Sequence, residues 1–380
     1  MTEPRMLTDM PDVRGKRVLV RSELNAPVHD GAVTDTYRVE MAIPTIEWLS
    51  SRGARVIVTA HLGREPDDSL APVYQVLREL LPSTKFVPDV TGPKAQAAVA
   101  ELPEGGVLLL ENVRSDEGEK DNNAEFTHRL ASLADYYVDD AFGATHRSHA
   151  SIVGVPALVP GFAGLLLERE LEELSKGLQP EAPSLFILGG AKFATKEPLL
   201  EAALDRYNTI FIGGALANDF LKAEGFNVGA SLVSEGIEGA EALLASGKIM
   251  LPVDVVVEGP DGVATKLANN VGPKDMIVDV GPETITELGV RIAHAETILW
   301  NGPLGLFEEG YIKSTESVAQ LVADARGHSI VGGGDTVAAI RELHLEEKFG
   351  FLSTGGGAML DFLVDGKLPG VEALKTSPEA

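Results

Sequence analysis

One pattern governs what this chain can become. Short runs of β-branched and aliphatic residues recur, each followed by a cluster of Gly, Asn, His or Arg and then by an amphipathic stretch of helical period. That alternation reads as βαβ units and parallel sheets. In the first part of the chain the runs are Arg17 to Val20, Arg55 to Ala60, Val107 to Leu110 and Tyr136 to Val138. In the second they are Leu185 to Leu188, Thr209 to Ile212, Ile298 to Trp300, Ser329 to Val331 and Gly350 to Leu352. Because 380 residues exceed what one hydrophobic core usually organises, two domains are expected.

Between the two sets lies Gly164 to Gly177, where Leu167, Leu171, Leu174 and Leu178 recur at helical spacing with Glu and Arg opposite. Pro156, Pro160 and Gly161 precede it, and Pro180 and Pro183 follow, the punctuation of a boundary. It reads as the connector between lobes, or else as one more covering helix.

Ligands of open parallel sheets bind beyond the carboxyl ends of the strands, so the residues there carry the functional information. In the first half they are donors and cations: Arg21-Ser-Glu23-Leu-Asn25, His61-Leu62-Gly63-Arg64, Glu111-Asn-Val-Arg114 and Ala141-Phe-Gly-Ala-Thr-His146-Arg147-Ser-His149, with Arg38 opening a helical stretch. Any one arginine reads more readily as a solvated surface charge or a structural ion pair. Several rigid guanidinium forks converging at one sheet edge create a local positive well suited to phosphate and carboxylate. Screening over roughly 8 Å lets such close contacts outweigh distant negative charge. The expected ligand is small and strongly anionic.

In the second half the strands end in glycine turns: Gly189-Gly-Ala-Lys192, Gly213-Gly214-Ala-Leu216, Asn301-Gly-Pro-Leu-Gly305, Gly332-Gly333-Gly334-Asp335-Thr336 and Ser353-Thr-Gly355-Gly356-Gly357. Glycine lets backbone approach a phosphate, and the N–H groups of the following helix stabilise its charge. A single diglycine is a weak signal, and Gly213-Gly214 taken alone reads rather as a steric requirement of a tight turn. Asp335 and Thr336 have the chemistry for a divalent cation and a phosphate oxygen, although Asp335 could be a plain helix cap. Lys192 and Lys196 share a helical face if the helix has begun by Lys192. Neither a Walker loop nor G-x-G-x-x-G occurs.

Whole-chain properties exclude other classes. A net charge of -25, from 57 acidic against 32 basic residues, opposes nucleic-acid and anionic-membrane surfaces. Cysteine is absent, which removes disulfides, thiolate nucleophiles and zinc-thiolate sites and agrees with a reducing interior. Met1 to Lys16 is polar, and apolar stretches stop far short of a membrane span. A soluble, cytoplasmic protein is expected, with no nucleic-acid or membrane partner.

The order and wording of these segments resemble the phosphoglycerate kinase family. RSELNAP with Arg38, HLGR, ENVR, DDAFGATHRSHAS, ILGGAKFATK, LPVD, WNGPLGLFE, GGGDT, STGGGAML and a terminal LPGVEAL follow in family order from Arg21 to Leu374. The resemblance implies an α/β fold of two Rossmann-like lobes, each a parallel sheet covered by helices, joined by a helix and hinge. Residues 1–160 would bind 3-phosphoglycerate, 161–178 would form the interdomain helix and 179–365 would bind nucleotide, with the tail 366–380 packing back on the first lobe. It further implies that Glu23, Asn25, His61, Leu62, Gly63, Arg64, Arg114, His146 and Arg147 grip the glycerate. Arg38 and Lys192 would neutralise the phosphoryl group in flight. Lys196, Gly213, Gly214, Asn301, Glu308 and Gly332 to Thr336 would line the nucleotide, with Glu308 on the ribose, Asp335 on Mg2+ and Gly355 to Gly357 opening a phosphate-facing helix.

By the same resemblance the reaction is reversible phosphoryl transfer between 1,3-bisphosphoglycerate and ADP, giving 3-phosphoglycerate and ATP; a monomer is expected separately. The chain departs from the family pattern at Glu23, where Asp is usual, and at Thr195, where Asp usually stands between the two lysines. These departures keep two alternatives in view: a non-catalytic nucleotide- or metabolite-binding scaffold, and a kinase for another acyl phosphate.

Overall fold

The computed structural model describes residues 3–380; Met1 and Thr2, the start of the expected first domain, lie outside them. Two compact units share the chain. One comprises residues 1–172 and 367–380, the other residues 173–366.

In the first unit the strands are β1 (Arg17–Ser22), β2 (Val28–His29), β3 (Ala32–Val33), β4 (Arg55–Thr59), β5 (Lys85–Phe86), β6 (Val107–Leu109), β7 (Tyr136–Asp140) and β8 (Gly161–Ala163). Its helices are α1 (Tyr37–Ser51), α2 (Ala71–Leu80), α3 (Pro93–Ala100), α4 (Ala124–Ala131) and the start of α5 (Leu165–Leu178). Six strands form a parallel sheet in the order β5-β6-β4-β1-β7-β8, and β2 and β3 make a separate small hairpin. Strands covered on both faces read as continuous aliphatic runs, and Val18, Leu19, Val20, Val56, Ile57 and Val58 are all buried. Val39, Ala42, Ile46 and Leu49 of α1 and Val73 and Leu77 of α2 pack in the same core as Val18, Val20, Val56 and Val58. Each such side chain withdrawn from water contributes about 1.5–3 kcal/mol before entropy is counted. A C-terminal helix, Pro369–Lys375, packs against β8 in this unit, and Arg5 donates to Ser377 Oγ at 2.6 Å.

In the second unit β9 (Ser184–Leu188), β10 (Thr209–Ile212), β11 (Ile249–Met250), β15 (Thr297–Asn301), β16 (His328–Gly332) and β17 (Phe351–Leu352) form a second parallel sheet. Its order, β11-β10-β9-β15-β16-β17, reverses direction between β9 and β15, the place where open sheets of this kind leave a ligand crevice. An antiparallel three-stranded sheet of β12 (Asp254–Gly259), β13 (Gly262–Leu267) and β14 (Met276–Val280) lies apart from it. The covering helices are α6 (Phe193–Arg206), α7 (Gly214–Ala223), α8 (Gly239–Leu244), α9 (Pro282–His294), α10 (Lys313–Ala323), α11 (Gly334–Glu342) and α12 (Gly356–Asp365).

α5 spans Leu165–Leu178, and the division between units falls inside it, after Glu172. Its start is held by Asp140, whose Oδ1 accepts from the backbone N–H of Leu166 at 2.9 Å. Its end belongs to the second unit, where Glu173 meets His328 at 2.8 Å and Tyr207 donates to Gly177 O at 2.7 Å. No helix among the described residues is long and apolar enough to cross a membrane.

Candidate active site

At the carboxyl edge of the first sheet, β1, β4, β6 and β7 deliver their following residues to one place. Asn25, after β1, ties two segments: its Oδ1 accepts from Gly63 N–H at 3.0 Å, and its carbonyl accepts from Arg38 at 2.6 Å. Asn112 cross-links the β4 and β6 loops, donating to Leu62 O at 2.9 Å and to Asp68 O at 2.7 Å. Arg114 donates to Gly63 O. Asp68 accepts from the N–H of Arg64 and Glu65, both at 3.0 Å, which fixes that loop while the Arg64 side chain stays exposed.

The electrostatics follow from this crowding. Burial, then Arg21, Arg114, Arg147 and Arg38 in turn, hold the His61 pKa well below the ordinary histidine range. Burial, with Arg147 and Arg21 adding repulsion, lowers Arg114 to about 10. His149 falls to about 4 through burial and then the same arginines. Cations that repel one another while half removed from water are destabilising in the absence of an anion, the property of a site built to receive one. Glu23 is an acidic residue beside this cluster. It is 2% exposed, its Oε2 has no hydrogen-bond partner among the described residues, and a methyl on Gly143 would fall 2.6 Å from that oxygen. A buried carboxylate oxygen left unsatisfied is an acceptor waiting for a donor.

At the carboxyl edge of the second sheet the glycine turns bond to one another. Gly189 N–H donates to Asn301 O at 2.8 Å, Gly190 N–H to Pro303 O at 3.1 Å, Gly214 N–H to Leu304 O at 3.0 Å and Leu216 N–H to Gly190 O at 2.9 Å. A methyl on Gly333 would lie 3.3 Å from Gly302 N, and one on Gly356 would lie 3.8 Å from Gly333 Cα. The turns after β10, β9, β15, β16 and β17 thus form a continuous strip of backbone. Gly333 occupies the cap position of α11, so Asp335 is the second helical residue and the cap reading fails. Although Asp335 remains exposed, crowding of its carboxyl by protein, and then the Glu308 carboxylate, raise its pKa. Thr336 is fully buried, and its Oγ1 has no partner among the described residues.

Lys192 precedes α6 in a left-handed conformation with φ of 67° and is exposed, so it does not share a helical face with Lys196. Thr195 donates back to the Lys192 carbonyl through both N–H and hydroxyl, at 3.1 and 2.8 Å. Lys196 is lowered to about 8 by burial, partly opposed by Asp361. No cluster of three or more His, Cys, Asp or Glu residues suited to a metal ion occurs among the described residues.

The family model described as phosphoglycerate kinase matches residues 7–367. The chain belongs to the phosphoglycerate kinase family. Curated phosphoglycerate kinases from Moorella thermoacetica and Clostridium botulinum are 45% and 44% identical to it, over 96% and 95% of this chain and 97% and 96% of their own. Among solved structures, phosphoglycerate kinase from Coxiella burnetii superposes with a TM-score of 0.84 at 37% identity, and that from Pyrococcus horikoshii with 0.89 at 29%. Both comparisons cover 98% of each chain. The two-lobed α/β fold expected from the sequence is therefore the phosphoglycerate kinase fold.

Within this phosphoglycerate kinase fold, Arg21, in the sequence simply a strand end, is 1% exposed and bonds to His61 and Ser151. Glu119, fully buried beneath the arginines, was not anticipated either. A charged residue inside an aliphatic strand was the available signal for Arg21; for Glu119 there was none.

Proposed function

We propose that this chain catalyses Mg2+-dependent, reversible transfer of a phosphoryl group from 1,3-bisphosphoglycerate to ADP, giving 3-phosphoglycerate and ATP. The supporting observation is the pairing of chemistries on one chain: a cationic cluster at one sheet edge and a strip of glycine turns at the other. The first suits a compact, highly charged acid, and the second suits a polyphosphate met by backbone N–H groups.

In this reading His61, Arg64, Arg114, His146 and Arg147, with the loop Leu62-Gly63, hold the glycerate. Asn25 fixes Arg38 and Gly63 against one another. Glu23 accepts a hydrogen bond from a substrate hydroxyl, the donor its orphaned Oε2 lacks. Lys196, Gly213, Gly214, Asn301, Glu308, Gly332, Gly333 and Gly334 line the nucleotide, Thr336 donates to a phosphate oxygen, and the α12 start at Gly355 to Gly357 faces phosphate. Asp335 fits a hard cation, because a carboxylate already crowded by Glu308 is stabilised by added positive charge. Mg2+ commonly takes one or two carboxylates and completes its shell with phosphates and water, so no larger acidic cluster is required. When bound it supplies neutralisation of the polyphosphate.

Phosphoryl transfer asks little covalent work of the protein, and an acyl phosphate needs no general base. Arg38 and Lys192 act by charge on the transferring group. The same reading includes a monomeric protein acting in the cytoplasm. The test is ATP formation from 1,3-bisphosphoglycerate and ADP, coupled to a nucleotide-dependent reporter, with and without a Mg2+ chelator. Turnover that requires Mg2+ is expected; nucleotide binding without ATP formation, or preference for a different acyl phosphate, overturns the reading.

A further inference from the structure

Arg21 makes three directed hydrogen bonds inside the first unit. Its Nε donates to Ser151 Oγ at 2.9 Å, one Nη to the Ser22 carbonyl at 2.9 Å, and the other Nη meets His61 Nδ1 at 2.8 Å. A guanidinium has no lone pair to offer, so each contact must run outward from Arg21. His61 Nδ1 therefore holds its lone pair, and Nε2–H is the donor the ring has left to present. Protonation of Nδ1 would set N–H against N–H.

The chain of bonds continues behind the arginine. Having accepted from Arg21, the Ser151 hydroxyl donates to Glu119 Oε1 at 2.6 Å, while Ser151 N–H donates to Glu119 Oε2 at 2.9 Å. Glu119 is fully enclosed; burial raises its pKa, while Arg21, its Ser151 hydrogen bonds and Arg114 favour the carboxylate form. The carboxylate thus anchors the serine, the serine orients the guanidinium, and the guanidinium orients the imidazole, much as outer carboxylates fix the tautomer of ligating histidines elsewhere.

We propose that Arg21, held by Ser151 and Glu119, is a positioning residue that locks His61 as a neutral Nε2–H donor toward the glycerate substrate. The proposal rests on the function given above and adds a specific device to it. A neutral donor grips a phosphate or carboxylate oxygen with fixed direction and leaves the site's charge the same across the range in which histidines ordinarily titrate. The groups facing His61 from the surrounding elements are Arg21 of β1, Arg38 of α1, Arg114 after β6 and Arg147 after β7, all cationic, and all oppose its protonation.

The test begins with the unaltered full chain carrying 15N-histidine. Long-range 1H–15N spectra report which ring nitrogen bears hydrogen, and His61→Gln identifies the His61 signals by their loss. The expected result is an Nε2–H ring that does not titrate between about pH 5 and 8. An Nδ1–H ring, or one that titrates in that range, overturns the proposal whether or not any variant folds. Ser151→Ala then removes the anchor while keeping Arg21 and Glu119. It should mobilise the His61 signals and raise KM for 3-phosphoglycerate on the order of tenfold, with a much smaller change in kcat. Ser151→Thr should restore both. His61 signals unchanged in Ser151→Ala would remove Ser151 and Glu119 from the device. The spectra need no turnover, so a locked tautomer in an inactive protein counts against the proposed reaction alone, and an active protein with a titrating His61 counts against this inference alone.

Discussion

Arg38 carries the sharpest prediction at the scale of single residues. One of its nitrogens is spent on the Asn25 carbonyl, which fixes the guanidinium plane and leaves its other N–H groups to meet charge that develops during transfer. Arg38→Ala should lower kcat by ~10²-fold or more, with a smaller effect on KM, because such a contact is strongest in the transition state. Steady-state kinetics decide it: a normal kcat with only a raised KM would reassign Arg38 to ground-state binding. Residue types at the strand ends, and hence this arginine set, were legible in the sequence because their position after each aliphatic run is local information. The neutrality of His61 was not, since it depends on Arg21, forty positions away, arriving through the β1–β4 pairing. Nor could the motif show that Lys192 bends into a left-handed turn before α6.

Among the elements, the glycine turns separate two physical roles that sequence alone cannot distinguish. A methyl on Gly214 would meet Gly190 N at 2.6 Å and Gly190 O at 2.7 Å, and the residue has φ of 63°. Gly334 has no neighbour within 4 Å of such a methyl and no positive φ. Gly214→Ala should therefore destabilise the second unit by about 1–3 kcal/mol, whereas Gly334→Ala should leave stability within ~0.5 kcal/mol and weaken nucleotide binding by occupying the phosphate's approach. Urea melts and nucleotide titrations of both variants would test this; equal stability losses would contradict it.

Asp140 holds the start of α5. Burial raises Asp140 to about 8 and its neighbour Asp139 to about 7. An unfolded aspartate ionises near pH 4, so between about pH 4 and 8 the native state holds protons that the unfolded chain releases, and stability falls as pH rises through that window. Asp140→Asn keeps an oxygen for the Leu166 N–H and cannot ionise. Its stability should decline less steeply over that range in Tm measurements, and an unchanged slope would contradict the assignment. The parallel sheets were readable from aliphatic runs alternating with helices, but β12, β13 and β14 pair antiparallel and break that alternation. Val255-Val256-Val257 followed by Gly259-Pro-Asp-Gly262 is a hairpin signal, and Gly259 pairs with Gly262 across that turn. The signal is local to one turn, and the βα alternation around it hides it. The two-residue strands β5 and β11 exist through pairing with neighbours and carry almost no pattern of their own, whereas the run ending at Leu352 marks β17.

For the whole molecule, a formal charge of -25 coexists with a cationic cluster in one unit, so the overall field does not describe the site. What the account requires is that two chemically different anion sites, on separately packed units of one chain, serve a single transfer. Equilibrium titration of 3-phosphoglycerate and of Mg-ADP into wild type, Arg114→Gln and Asp335→Ala, alongside kcat/KM for ATP formation, addresses this requirement directly. Arg114→Gln should weaken 3-phosphoglycerate binding and spare the nucleotide, Asp335→Ala should do the reverse, and each should depress turnover. If either substitution weakened both ligands equally, or neither affected ATP formation, two dedicated sites serving one reaction would be the wrong description.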